Sequence, residues 1–400
     1  MPRRLSILFF VSLWALGLTP SLGQRIAERW ALTPERPATE LRFGRSVAVS
    51  SDLVVVGAPG DTTNGPKSGA AYVFEHSDNG WMRTKLVPPD GEPNARFGWK
   101  VAVDDGRVAV SAPWASNPME GRFGTVYLYE RSGGNWTHQL LRVGVPGVTG
   151  QIGRGLAMAG GRIVAGAPYD TTRNGDRSGA LVVLDKTADG WSSKTLVPEQ
   201  GSPDAWFGLV VAADGDRIGA GGYHTEQASG LEAGAASVFT RGADGIWTER
   251  PLAPVVQPAP KDHFGRSVAF LGDRVFVGAE EDDNANGTNA GGVFALRTDR
   301  PDGPSQLILP AGGAPNSYFG YVIGTTDRVL AAYQGMEVHF FSAFGEDRLR
   351  ERTLTELTGA PLPGSTSAMA GDGRRLAMGV AFADDPVSNA GAVVVVEFAR

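Results

Sequence analysis

Phe43-Gly44-Arg45-Ser46-Val47-Ala48-Val49-Ser50-Ser51-Asp52-Leu53-Val54-Val55-Val56-Gly57-Ala58-Pro59 opens on an aromatic–glycine pair and closes on Gly-Ala-Pro. The same two marks return down the chain. Phe97-Gly98 leads to Ser111-Ala112-Pro113, Ile152-Gly153 to Gly166-Ala167-Pro168, and Phe207-Gly208 to Gly221-Gly222-Tyr223. Phe264-Gly265 leads to Gly278-Ala279-Glu280, and Phe319-Gly320 to Ala332-Tyr333. The second mark follows the first by thirteen or fourteen residues, and the pairs lie 54, 55, 55, 57 and 55 residues apart. A repeat of this length means a solenoid, a propeller or an array.

One copy read in full decides between them. Ser46 to Val49 and Val54 to Val56 are short apolar runs separated by a turn. Gly69 to Glu75 is a third run rich in branched and aromatic residues, and Trp81 to Leu86 a fourth of alternating character. Such runs, bounded by Gly, Pro, Asp or Asn, are strands. No window of helical length carries a 3.6-residue apolar stripe. Four antiparallel strands per unit predict propeller blades.

The two ends of the chain complete the count. After Phe319-Gly320 the pattern runs once more, through Ser367 to Ala370, Arg375 to Gly379 and Gly391 to Glu397, and lacks a fourth strand. Trp30-Ala31-Leu32-Thr33-Pro34, before the first repeat, matches the missing piece. The prediction is an all-β, seven-bladed β-propeller of four-stranded antiparallel blades, closed by the N-terminal strand pairing with the last blade. Closure removes exposed strand edges. Expected blades cover about 42–95, 96–150, 151–205, 206–262, 263–317, 318–363, and 364–400 joined with 26–34.

Glycine is abundant at 55 residues, yet 42% of the chain is hydrophobic, enough for a core, so the glycine belongs to turns. The net charge of −6, without a basic stripe, argues against nucleic acid as a partner. Arg3 and Arg4, the apolar run Leu5 to Leu18, and small residues Ser21 and Gly23 read as a signal peptide over 1–23, with the propeller over 24–400. The run is too short for a spanning helix, so a secreted, cell-surface or periplasmic location is expected without a membrane span. The absence of cysteine excludes disulfides, thiolate metal sites and a cysteine nucleophile.

The repeated marks resemble the FG-GAP repeat, the blade unit of the integrin α-chain N-terminal propeller and of many secreted bacterial proteins. The resemblance spans about residues 25–400 and implies a propeller, usually extracellular, used for adhesion or assembly. In integrin-like blades, several copies hold calcium in an acidic loop between the first strand and the Gly-Ala-Pro strand. Here that connection is a minimal turn in every copy, such as Asp104-Asp105-Gly106 or Asp214-Gly215-Asp216. A calcium ion needs six to eight oxygens, which speaks against metal there and leaves no cofactor expected.

Function is sought on the face carrying the long loops between second and third strands. Asp61 and Asn64 lie on the loop from Gly60 to Ser68, and Tyr169, Asp170 and Asn174 on the next elaborated one. Trp114 and Tyr169 follow prolines where an aromatic could stack on a sugar or peptide. Glu281, Asp282, Asp283 and Asn286 form a weaker, alternative divalent-cation site, for which a solvated acidic loop is the plainer account. His76, His138, His224, His263 and His339 fall in different repeats, and His224-Thr225-Glu226 reads as a surface loop. No nucleophile elbow, phosphate loop or paired metal-histidine motif occurs. The sequence therefore reads as an exported, non-enzymatic module binding protein or glycan. A hydrolase or lyase built from loops of several blades, and a structural component of an envelope, are the alternatives.

Overall fold

The computed structural model describes residues 25–399 except 51, 79, 118–120, 123, 142–149, 229, 253–257, 299–304, 343–348 and 384–387. The expected signal segment lies outside the described residues. Seven four-stranded antiparallel sheets form the blades of a closed propeller. Blade one is Ser46–Ser50, Leu53–Ala58, Ala70–Ser77 and Gly80–Leu86, running from the axis outward. The middle strands are almost fully buried because both of their faces meet neighbouring blades, whereas the outermost is largely exposed.

The last blade takes Ala368–Asp372, Arg375–Val380 and Ala392–Phe398 from the C-terminal part and Ile26–Leu32 from the N-terminal part. Trp30 pairs with Val395 and Leu32 with Val393, which seals the ring. Trp30 also packs edge-on against Trp81 of blade one, its centroid 5.6 Å away. The closing strand thus joins two blades.

The repeated marks hold blades together. Each mark glycine donates its N–H to the carbonyl thirteen positions later: Gly44 to Gly57, Gly98 to Ser111, Gly153 to Gly166, Gly208 to Gly221, Gly265 to Gly278 and Gly320 to Tyr333. The constant offset is therefore one hydrogen bond. The mark aromatics Phe43, Phe97, Phe264 and Phe319 have no exposed surface, and each bridges a glycine of the preceding blade. Gly98 needs its +83° φ, and a Cβ there would stand 2.1 Å from the Ala70 carbonyl oxygen.

Turns between first and second strands are two-residue hairpins in six blades, for example Asp104 pairing with Arg107 and Asp214 with Arg217. Asp105 and Gly106 both have positive φ, 47° and 69°, as such primed turns require. Carboxylates flanking these turns are engaged: Asp104 accepts from the Gly161 N–H of the next blade, and Asp214 pairs with Arg217. Chain this short does not fit calcium at the position the FG-GAP resemblance implies. One element departs from the strand-only expectation. Leu354–Thr358 is a single helical turn, begun by a capping box between Thr353 and Glu356 and ended by Gly359 at φ 75°.

Candidate functional site at the channel mouth

The first strand of each blade lines a central channel of about 960 Å³. The residue just after each mark glycine lies one or two positions before that strand and therefore stands at the channel mouth on the long-loop face. These residues are Arg45, Trp99, Arg154, Leu209, Arg266 and Tyr321. Three are arginines, in a protein of net charge −6.

The guanidinium groups are spread on aromatic rings. Arg45 lies 4.4 Å from the Trp99 ring centre, and Arg154 lies 4.9 Å from both Trp99 and Trp114. Arg266 lies 4.1 Å from Tyr321 and 4.9 Å from Tyr223. Trp99 and Trp114 meet edge to face at 4.7 Å, and Arg154 donates to the Tyr169 hydroxyl at 3.0 Å. Such cation–π contacts hold the cations in place while leaving their N–H groups able to donate.

Only one of these cations has an acidic partner. Arg266 Nε donates to Glu280 at 3.0 Å, whereas Arg45, Lys100 and Arg154 have no carboxylate partner among the described residues. The Arg154 Nε–H is buried without any hydrogen bond. Burial and the neighbouring Arg45, Arg266 and Arg154 push the Lys100 ammonium down to about 7. Burial, with Arg154 and Arg266 nearby, likewise lowers Arg45 to about 10. Lys100 keeps part of its surface open to the channel although it lies deep in the ring, so channel water tempers this cost. Unbalanced positive charge in a confined, aromatic-walled mouth is an anion-binding arrangement. The opposite mouth holds Asp104, Asp214, Asp327 and Asp372, of which Asp104 and Asp214 are paired with Arg107 and Arg217.

Of the residues anticipated from sequence, the structure brings Trp114 and Tyr169 into this mouth, both against Arg154. Asp61 and Asn64 instead brace their own loop. Asp61 is buried, binds Lys85 at 2.7 Å and receives the Thr63 N–H, while Asn64 donates to the Pro88 carbonyl. Asn174 and Asn286 repeat that clamp on Pro198 and Pro310. Asp170 is buried at the loop base, where its N–H meets the Ala167 carbonyl. Glu281, Asp282, Asp283 and Asn286 do not converge. Asp282 accepts from Asn284, Asp283 accepts from the Asn289 N–H, and Glu281 turns toward His263.

Arg45, Arg154, Arg266 and Lys100 belong to no local motif, since they stand where the repeat varies and not at its constant glycines. The available signal was the varying residue beside each constant one. The histidines held a second surprise: His224 and His263, 39 positions apart, sit with ring centroids 5.6 Å apart beside Tyr223 and Trp206. Adjacent blades bring them together, which no local pattern announces.

The fold and mouth define a closed β-propeller, a class used as a binding platform. Its repeat is the FG-GAP repeat, matched over residues 28–74, 81–129 and 257–296, and the chain is an FG-GAP-repeat propeller. No curated protein matches the chain. Among solved structures, it is similar to PorZ, described as an essential bacterial surface component of the type-IX secretion system of Porphyromonas gingivalis. The TM-score is 0.51 at 11% identity, with 93% of this chain covered. The chain spans 39% of the length of PorZ, and at that identity the likeness concerns the fold. YjhT gives a TM-score of 0.46 at 16% identity, over 80% of this chain and 99% of the other.

Proposed function

We propose that this chain is an exported, non-enzymatic binding module that captures an acidic glycan through the cationic channel mouth. The observation carrying this reading is the set Arg45, Lys100 and Arg154, held at one mouth without carboxylate partners among the described residues. Carboxylates on a sugar would supply the missing charge, and Tyr321, which keeps part of its ring exposed, would offer it an aromatic surface. Tyr318, Tyr321 and Phe382, on the same face, are 40%, 38% and 49% exposed, so aromatic surface extends beyond the mouth. The apolar run near the N-terminus supports export. Among the described residues no helix is long and apolar enough to cross a membrane.

The test is a panel of acidic glycans, neutral glycans and acidic peptides against the wild-type chain and the double variant R45M/R154M. Acidic glycans should bind with affinity that falls as salt rises. Loss of two charge-assisted contacts should weaken that binding by about a hundredfold. Equal binding of neutral glycans, or full affinity in the double variant, defeats the proposal; preference for acidic peptides replaces the glycan with protein.

Lys100 favours a second reading, that of a lyase. An amine poised near neutrality beside guanidinium groups could remove a proton next to a carboxylate they neutralise. Ultraviolet absorbance from an unsaturated product, abolished by K100M, would identify that activity. A bound glycan recovered intact would exclude it.

A further inference from the structure

Beside the arginine mouth, the loops of blades four and five place His224, Glu232, His263, Glu280 and Glu281 in one cluster. We propose that this cluster is a zinc site: His224, Glu232 and His263 bind the ion, and Glu280 orients His263 from behind.

The ligand atoms are arranged for a shared cation. His224 Nδ1 lies 2.9 Å from Glu232 Oε1, and His263 Nε2 lies 4.0 Å from Glu232 Oε2. All three groups place one ligand atom within 4.8 Å of the others. Zinc ligands at about 2.1 Å in a tetrahedron stand roughly 3.4 Å apart, so a small swing of Glu232 closes the set. Its side chain is 41% exposed and has room for that movement.

His263 supplies the independent observation. Both of its ring nitrogens are buried without a hydrogen bond. The Nδ1 lies 3.4 Å from Glu280 Oε1, an ion-pair distance that lacks hydrogen-bond geometry, and 3.7 Å from Glu281. An ordinary buried histidine satisfies at least one nitrogen. Here each nitrogen faces a carboxylate across a gap: Nε2 toward the Glu232 side, Nδ1 toward Glu280. That is the arrangement of a metal-bound imidazole whose other N–H is held by an outer carboxylate. Glu280 is 7% exposed, its Oε2 has no partner, and Arg266 fixes its Oε1 at 3.0 Å.

Charge and chemistry select the ion. Glu280 pairs with Arg266, whereas Glu232 and Glu281 lie against His224 and His263, so with neutral imidazoles two carboxylate charges are left within the cluster, the charge of a divalent cation. Two imidazoles and one carboxylate favour zinc over calcium or magnesium, which prefer all-oxygen shells. Three protein ligands leave a fourth position open toward solvent beside Arg266. An anion held at the mouth could reach it.

The experiment uses the whole chain without a polyhistidine tag, stripped by chelator and titrated calorimetrically with zinc chloride. One zinc per chain is expected, and cobalt(II) at the same site should give visible absorption bands of low coordination number. H224A and E232Q should each weaken zinc by tenfold or more, and E280Q by about ten- to a hundredfold through the outer shell. Circular dichroism checks that each variant keeps its fold. Absence of saturable zinc binding in the stripped chain, or unchanged affinity in folded H224A and E232Q, overturns the site.

Discussion

Lys100 is where the channel's charge imbalance is most easily measured. Its ammonium is held down to about 7 by burial and by three guanidinium groups, so the charged form opposes folding. The unfolded lysine keeps its proton up to its ordinary, much higher value. The destabilisation is therefore full below about pH 7 and fades as pH rises from there toward that ordinary range. K100M should melt higher than wild type at pH 6, and the gap should shrink by pH 10. Capture of an anion has the opposite trend, since it favours the protonated amine. Affinity for an acidic glycan should fall by about tenfold as pH rises through neutrality, and K100M should flatten that profile. A wild-type profile already flat between pH 6 and 9 would remove Lys100 from the site.

At the level of the blade, the two sequence marks are one device. The mark glycine bonds to the second strand of its own blade, and the aromatic seats against the blade before it. Phe97, with no exposed surface and two tyrosines packed edge-on, should cost about 3–5 kcal/mol of stability when replaced by alanine, read by urea unfolding. G98A should be at least as damaging despite its single added carbon, because φ and the Ala70 carbonyl both forbid it. These marks made the blades legible in sequence, since a fixed hydrogen bond imposes a fixed spacing. The helical turn Leu354–Thr358 was not legible by periodicity, being too short to show a stripe, although Thr353 and Glu356 spelled its capping box. The mouth was half legible. Trp114 and Tyr169 stood out as aromatics after a proline, whereas Arg45, Arg154 and Arg266 gained meaning only when the ring aimed them at a common axis.

For the molecule as a whole, the seam between the N-terminal strand and Ala392–Phe398 decides stability. That the two ends pair was foreseeable because the last copy lacked one strand. Removing Ile26–Leu32 would uncover the edge of blade seven and strip Trp30 from Trp81. The trimmed chain should melt at least ~10 °C lower and aggregate, by calorimetry and light scattering. Millimolar calcium, by contrast, should leave the melting temperature of the intact chain unchanged, since the two-residue hairpins offer no loop to wrap it. The channel itself has unlike ends: Arg45, Lys100 and Arg154 stand without carboxylate partners among the described residues at one, whereas about 15 Å away Asp104 and Asp214 are matched by Arg107 and Arg217. Unmatched charge is thus confined to the upper rim, and the pull on an acidic group should act from that end alone.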